Sequence, residues 1–459
     1  MKLYLKIVLQ VFLILYVISC ENPVNNGVEY LPPETYLSVF SMPGDTVAPG
    51  STVKKIYWWG DSPNGFVVGF RISFDSLNWG YTTKTDSTFV FTISGQDSVF
   101  RIWVAAVDNR GMVDPTPATN LYPVINSPPS MVFDVGTEIP DTIFPIATLK
   151  WTGTDPDGDN TIKNYFWSLN DTNHFHSVPG NLNIMTLTKD SGLISGNYCV
   201  YMKAMDIAGS FSPIVRMPAD TTKFFYVKSV TGRVLLIKDM PQNEMSTADS
   251  YFATVLDTVK YDVLDIKSGN GKLIPKIINP MFVETLKLFK VVIWSANRGG
   301  QVTSNDPNFT LAQSSLPYYL AANGKVFWTS GIPDNFIGQG SLFNFGPVDS
   351  IKSSCYIQFN FPGDTLKSEY SGYPDLYASS FIAITRGIYY PNTAQLVFKL
   401  LYNPNRPYCL DDSYIAVKDA NVNPKIFLMV MPIYYLNNNQ NNSKAFFVKL
   451  LQDFGLLPQ

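Results

Sequence analysis

Near residue 230 the hydrophobic pattern of this 459-residue chain changes period. Before that point, apolar and polar side chains alternate over short runs bounded by Gly, Pro, Asn and Asp, which is the pattern of strands buried on one face. After it, apolar runs such as the one in "RVLLIKD" (233–239) are unbroken, and stretches with helical spacing separate them. That is the pattern of strands buried on both faces and covered by helices. One sheet cannot satisfy both patterns. The expected fold class is therefore multidomain: two all-β sandwiches followed by an α/β doubly wound parallel-sheet domain. A hydrophobic fraction of 46% is enough for several cores. Only 15% of residues are charged and the net charge is −3, which argues against a nucleic-acid partner, since phosphate binding needs a basic surface.

The first half repeats. "KKIYWWGDSPNGFVVGFRISFDSLNW" from Lys54 lies over "ATLKWTGTDPDGDNTIKNYFWSLNDTNHF" from Ala147. Each begins with an alternating strand whose Trp (Trp59, Trp151) is expected to fill the space between two sheets. A turn follows, with Asp61 and Gly65 in one copy and Asp155, Asp157 and Gly158 in the other. Each copy closes on a strand ending Ala-x-Asp, 99–108 and 198–206. The pattern resembles fibronectin type III and related immunoglobulin-like modules of exported bacterial proteins. The resemblance implies β-sandwiches over 32–127 and 128–229.

Asp155, Asp157 and Asp159 have the alternate spacing of a calcium loop. The same residues suit a turn in which carboxylates take local amides, and the turn is the expected reading. His174 and His176 share a strand face, but no third ligand is identifiable, so no metal is expected. Nor is any cofactor: there is no P-loop, and "GNGK" (269–272) lacks the remaining spacing.

In the second half, strands are expected over 233–239, "YDVLDI", "KVVIWSA", "KVFWTSG" and a long "KIFLMVMPIYYL". Helices are expected between them, one opened by a Ser246/Asp249 capping box and one capped by Asn279 before Pro280. The last helix carries a stripe of Phe447, Leu450, Leu451 and Phe454, and Gly455 stops it. This texture resembles the class I glutamine amidotransferase-like fold, a flavodoxin-like doubly wound sheet. It implies an α/β domain over 230–459, with 336–393 as an insertion capping the sheet's C-terminal edge.

Active members of that family carry a Cys on the turn after the strand matched by "KVFWTSG", paired with a late His-Pro-Glu. Here the turn has Ser330. Aligning Pro432 puts Met431 and Ile433 where His and Glu would stand. A serine needs a base to attack at neutral pH, and Met and Ile cannot take a proton. Ser330, Met431 and Ile433 are therefore read as degenerate site positions with no catalytic residue among them. Asn297, Arg298, Gly299 and Gly300 follow the third strand, where backbone amides could hold a ligand.

Near the start, Lys2 and Lys6 precede the apolar run 7–19, which ends in "VISC". That stretch resembles a bacterial lipobox. The resemblance implies a signal peptide over 1–19, lipidation at Cys20, and a Pro- and Asn-rich tether over 20–31. The four cysteines include Cys355 and Cys409, which could pair in an exported protein.

The expected function is that of a non-catalytic envelope lipoprotein, anchored through its lipid at the outer membrane and binding a glycan or protein ligand. The alternative is an envelope hydrolase with its active site at the C-terminal edge of the α/β sheet.

Overall fold

The computed structural model describes residues 30–38, 46–48, 51–92, 98–124, 126–266, 274–297, 307–332, 342–352, 358–403, 405 and 410–458. The chain forms two compact units. One is Met1–Ser127 with Ile207–Ser210; the other is Pro128–Asp206 with Phe211–Gln459.

In the first unit, Ser51–Asp61 pairs with Glu34–Leu37, Thr46–Ala48 and Asp86–Thr92. A second sheet runs in the order Gly80–Thr82, Val67–Ser73, Ser98–Asp108, Ala118–Val124. Ile56, Trp58, Phe70, Ile102, Val104, Ala106 and Tyr122 make one core between them. The tryptophan that fills this sandwich is Trp58, not Trp59 as expected. Adjacent residues on a strand face opposite ways, so the choice turned on one residue. Trp58 is 1% exposed and its indole N–H donates to the Lys84 carbonyl at 2.9 Å, whereas Trp59 is 53% exposed and stacks on Tyr36 across the strand pair.

The second sandwich sets Ala147–Thr154, flanked by Ser130–Phe133 and Ile184–Leu187, against a sheet of His176–Pro179, Ile162–Leu169, Val200–Asp206 and Val215–Met217. Trp151 is buried at its centre, as expected. The single strand expected over 198–206 is split in two. Gly196–Tyr198 pairs with Phe225–Val227, while Val200–Asp206 pairs with Ile162–Leu169. Buried Cys199 sits at the break, and its amide donates to Asn170 Oδ1.

This sandwich packs continuously against the C-terminal α/β domain. Met281 is buried within the sandwich's own core, the rings of Phe144 and Phe289 meet edge to face at 5.1 Å, and Lys228 Nζ donates to the Val263 carbonyl at 2.7 Å.

The C-terminal domain is built on one nine-stranded sheet. Its strands are β1 (Val234–Asp239), β2 (Tyr261–Asp265), β3 (Val291–Ala296), β4 (Lys325–Thr329), β5 (Thr365–Ser368), β6 (Leu376–Tyr377), β7 (Ala394–Leu400), β8 (Ser413–Asp419) and β9 (Ile426–Met429), in spatial order β2-β1-β3-β4-β9-β8-β7-β5-β6. The first five strands of that order are parallel and the rest antiparallel. The sheet is thus half parallel, not wholly parallel as expected. Within 336–393, β5 and β6 add two strands at the far edge of the sheet, while Arg386 Nη1 donates to the Ile332 carbonyl at 2.8 Å and the Ser379 amide donates to the Tyr435 carbonyl at 2.7 Å, beyond the ends of β4 and β9.

The principal helices are α1 (Met245–Val255), α2 (Val283–Lys287), α3 (Pro307–Ala321) and α4 (Gln440–Asp453). Both faces of the sheet are covered. Phe327 meets Phe446 and Phe447 of α4, while its neighbour Trp328, which points the other way, meets Phe309 of α3. Phe447, Leu450, Leu451 and Phe454 are buried as their spacing requires, and Gly455 ends α4 at φ 67°.

Three local expectations fail. α1 has no capping box; Asp249 accepts from Lys238 Nζ at 2.7 Å instead. Asn279 does not cap α2: it lies inside a π-helical turn, Ile278–Phe282, and the residue before α2 is Phe282, with no side-chain cap bond. The long last strand stops at Met429, since Pro432 breaks it and Ile433–Tyr435 forms a single 3-10 turn. Among the described residues no helix is long and apolar enough to cross a membrane.

Candidate functional site

The ends of β1, β3, β4 and β9 come together at one edge of the sheet. Parallel registry fixes this: Asp239 lies opposite Ala296, and Thr329 lies opposite both Ser295 and Met429. In open parallel sheets, the crevice at the carboxyl ends of two neighbouring strands whose connections leave in opposite directions, as β1 and β3 do here, is where ligands commonly sit.

Ser330 comes directly after β4. Its amide donates to the Met429 carbonyl at 3.0 Å, its hydroxyl donates to the Gly331 carbonyl at 2.8 Å, and it is 1% exposed. Met431 and Ile433 are fully buried. They belong to the apolar core, and the hydroxyl of Thr329 stitches their backbone to β4. It donates to the Met431 carbonyl at 2.6 Å and accepts the Ile433 amide at 2.9 Å. The proton of Ser330 is thus held by a carbonyl, which cannot abstract it.

Asn297 ends β3. Its amide donates to the Asp239 carbonyl at 3.1 Å, and its side chain donates to Glu244 Oε2 at 2.5 Å. The same carboxylate oxygen accepts the hydroxyl of Tyr434. Burial holds the Tyr434 phenol well above its ordinary value, and its bond to ionised Glu244 adds to the effect. Tyr435 is pushed up to about 12 by burial and then by the charge of Glu244. Both phenols therefore stay protonated at neutral pH and act as donors, not bases. Asn308 at the start of α3 donates to Asp239 Oδ1 at 2.8 Å. This polar group links the connections that follow β1, β3 and β9. Sequence reading found only Asn297 of it. Glu244, Tyr434 and Tyr435 carry no motif, and their only signal is position just beyond a strand end.

The remaining expected positions are scattered. Arg298, Gly299, Gly300, Cys20, Cys355, Cys409 and the GNGK stretch lie outside the described residues. Asp155, Asp157 and Asp159 build a turn: Asp155 Oδ1 accepts the Asp157 amide at 2.9 Å and Asp159 Oδ1 accepts the Asp155 amide at 3.0 Å. Among the described residues no three or more His, Cys, Asp or Glu side chains are grouped to hold a metal ion. His174 is bonded to Asp171, and His176 stacks on Trp167 at 4.7 Å. A cavity of about 560 Å³, lined by Ile146, Leu193, Val230, Lys228 and, from the end of α2, Leu288, contains none of these residues.

No family model and no curated protein matches the chain. Solved structures similar to it include the fibronectin(III)-like modules of Clostridium thermocellum CbhA, at 12% identity over 43% of this chain and 95% of that one, TM-score 0.20. A two-domain fibronectin type III segment of chicken tenascin is 18% identical over 40% of this chain and 96% of that one, TM-score 0.20. The PKD1 domain of Vibrio anguillarum Epp is 12% identical over 21% of this chain and 98% of that one, TM-score 0.16. The sandwich architecture described above rests on the strand pairings, not on these overlaps.

Proposed function

We propose that this chain is a non-catalytic envelope lipoprotein, exported and anchored through lipid on Cys20, that binds a glycan or protein ligand. Two fibronectin type III-like sandwiches carry a flavodoxin-like, amidotransferase-like domain whose reaction centre has been lost. The observation that supports this best is the state of Ser330. Its hydroxyl is buried on the Gly331 carbonyl, and the two positions aligned with a base and its orienting acid are Met431 and Ile433, both fully buried. A reaction needing an activated hydroxyl has no proton acceptor at those positions.

A binding role draws on a different part of the molecule. Tyr36, Trp59, Phe66 and Tyr81 expose large aromatic area, and such rings give contact area at small entropic cost.

The experiment is to compare wild type with Ser330→Ala for turnover of acyl, amide and glycosidic substrates and for retention on immobilised envelope glycans and proteins. The reading expects no turnover from either protein and equal retention of both. Turnover by wild type that Ser330→Ala abolishes would favour the hydrolase instead. The anchor is tested separately: globomycin should block maturation at Cys20, and normal processing in its presence would refute lipidation.

A further inference from the structure

We propose that the first sandwich holds one divalent cation of the calcium type, bound at the end of its interior by Ser62, Asp108 and Asp114. The fold brings the three together. A Cβ added to Gly60 would lie 2.8 Å from the Cβ of Ala106, so the facing sheets touch there. Ser62 and Asp108 each lie two residues further on and point the same inward way. A bridge between Val107 and Val113, with the Asp114 amide on the Ala106 carbonyl at 3.0 Å, folds the chain back. That makes Asp108 and Asp114 diagonal neighbours on one face. Ser62, Asp108 and Asp114 are 7%, 1% and 2% exposed.

Each aspartate uses one oxygen and leaves the other unused. Asp108 Oδ1 accepts the amides of Arg110 and Met112, both at 2.9 Å. Asp114 Oδ1 accepts the amide and hydroxyl of Thr116 at 2.8 and 3.0 Å. Oδ2 of both residues and the hydroxyl oxygen of Ser62 are buried without a hydrogen-bond partner. Buried charges are found paired or on a metal, and among the described residues no Lys or Arg pairs with either aspartate. The donors are all oxygen, with two carboxylates and no nitrogen or sulfur. Such a hard set suits Ca²⁺, which takes about six to eight oxygens and would draw the rest from carbonyls and water.

The second sandwich supports this independently, by using the same three places. Trp58 and Trp151 are the buried tryptophans of the two copies; four residues beyond them stand Ser62 and Asp155. Asp108 and Asp206 end equivalent strands. Asp114 and Ser212 donate their amides to Ala106 and Ala204. Both copies therefore bury two aspartates and one serine there, with the serine moved. In the second copy, however, Ser212 accepts the Ala204 amide and donates to the Pro213 carbonyl. Its hydroxyl is used, and only Asp155 Oδ2 is unpartnered among the three residues. The complete set is in the first copy.

The test is calorimetric titration of CaCl₂ into the chelator-treated full chain, with thermal unfolding in Ca²⁺ and in EDTA. One equivalent should bind and the first sandwich should melt higher as Ca²⁺ rises. Asp108→Asn and Asp114→Asn should each weaken binding about tenfold or more, while Asp155→Asn should leave it unchanged. If the carboxylate variants do not fold, Ser62→Ala carries the test and should weaken binding several-fold. No binding by wild type, identical melting in Ca²⁺ and EDTA, unchanged affinity in the folded Ser62, Asp108 and Asp114 variants, or loss of binding in Asp155→Asn would overturn the proposal.

Discussion

The hydroxyl of Thr329 donates to the carbonyl of Met431 at 2.6 Å and at the same time accepts the amide of Ile433 at 2.9 Å. One side chain on β4 thus satisfies two backbone groups of the segment where the resembled family would keep its base. The bonds cross a fully buried seam, so their loss exposes nothing to water. Thr329→Val should leave both backbone groups unsatisfied and cost roughly 1–3 kcal/mol, read as a lower urea midpoint with unchanged slope. Thr329→Ser, which keeps the hydroxyl, should recover most of that.

The two adjacent tryptophans of the first sandwich should behave oppositely. Trp58→Ala removes a fully buried indole and should destabilise by about 3–5 kcal/mol. Trp59→Ala loses only a ring stacked on Tyr36 at 5.6 Å and should cost about 1 kcal/mol or less. Equal effects in thermal unfolding would mean the register of Ser51–Asp61 is wrong.

Asp453 closes α4 against the sheet. Its Oδ2 accepts from Lys418 Nζ at 2.7 Å and from the Tyr373 hydroxyl at 2.9 Å, and its Oδ1 takes Lys449 Nζ at 2.8 Å. Burial alone would push its carboxyl up, but the bonds from Lys418, Lys449 and Tyr373 outweigh it and hold the group below the usual carboxylate range. A carboxylate depressed on folding contributes stability that is full above its unfolded value of about 3.9 and is lost as pH falls toward its folded one. Acid unfolding of wild type should therefore steepen below about pH 4. Asp453→Asn should cost about 3–5 kcal/mol at neutral pH by stranding Lys418, which is 3% exposed, and should flatten that acid limb.

Alkaline pH probes the edge cluster. Tyr435 is raised to about 12 by burial and by Glu244. A phenol raised on folding contributes stability that is full below its unfolded value of about 10 and disappears as pH climbs through the folded one. Ultraviolet titration of Tyr435→Phe against wild type should show a missing phenolate transition near 12. Glu244→Gln should move that transition down, because the charge opposing ionisation is gone.

The sequence showed the change of architecture because the two periods differ in kind: alternation before residue 230, unbroken runs after it. It also placed Ser330 just past a strand, but it read Met431 and Ile433 inside a long last strand that in fact ends at Met429. It did not show which of Trp58 and Trp59 is buried, because neighbouring aromatics give the same composition in either register. β5 and β6 were hidden because they are short and pair antiparallel at a far edge, which local periodicity does not encode. The link from Glu244 to Tyr434 joins residues 190 apart in the chain, and no local pattern reports such a contact. Ser246 and Asp249 had capping-box spacing, yet a buried lysine on β1 claimed the aspartate.

The most direct measurement is labelling of the folded chain with a fluorophosphonate, which forms an adduct only with an activated serine, and then mass mapping of the peptide containing Ser330. A non-catalytic Ser330 predicts no adduct there under conditions that fully label a control hydrolase. A stoichiometric adduct on Ser330, absent from Ser330→Ala, would contradict it.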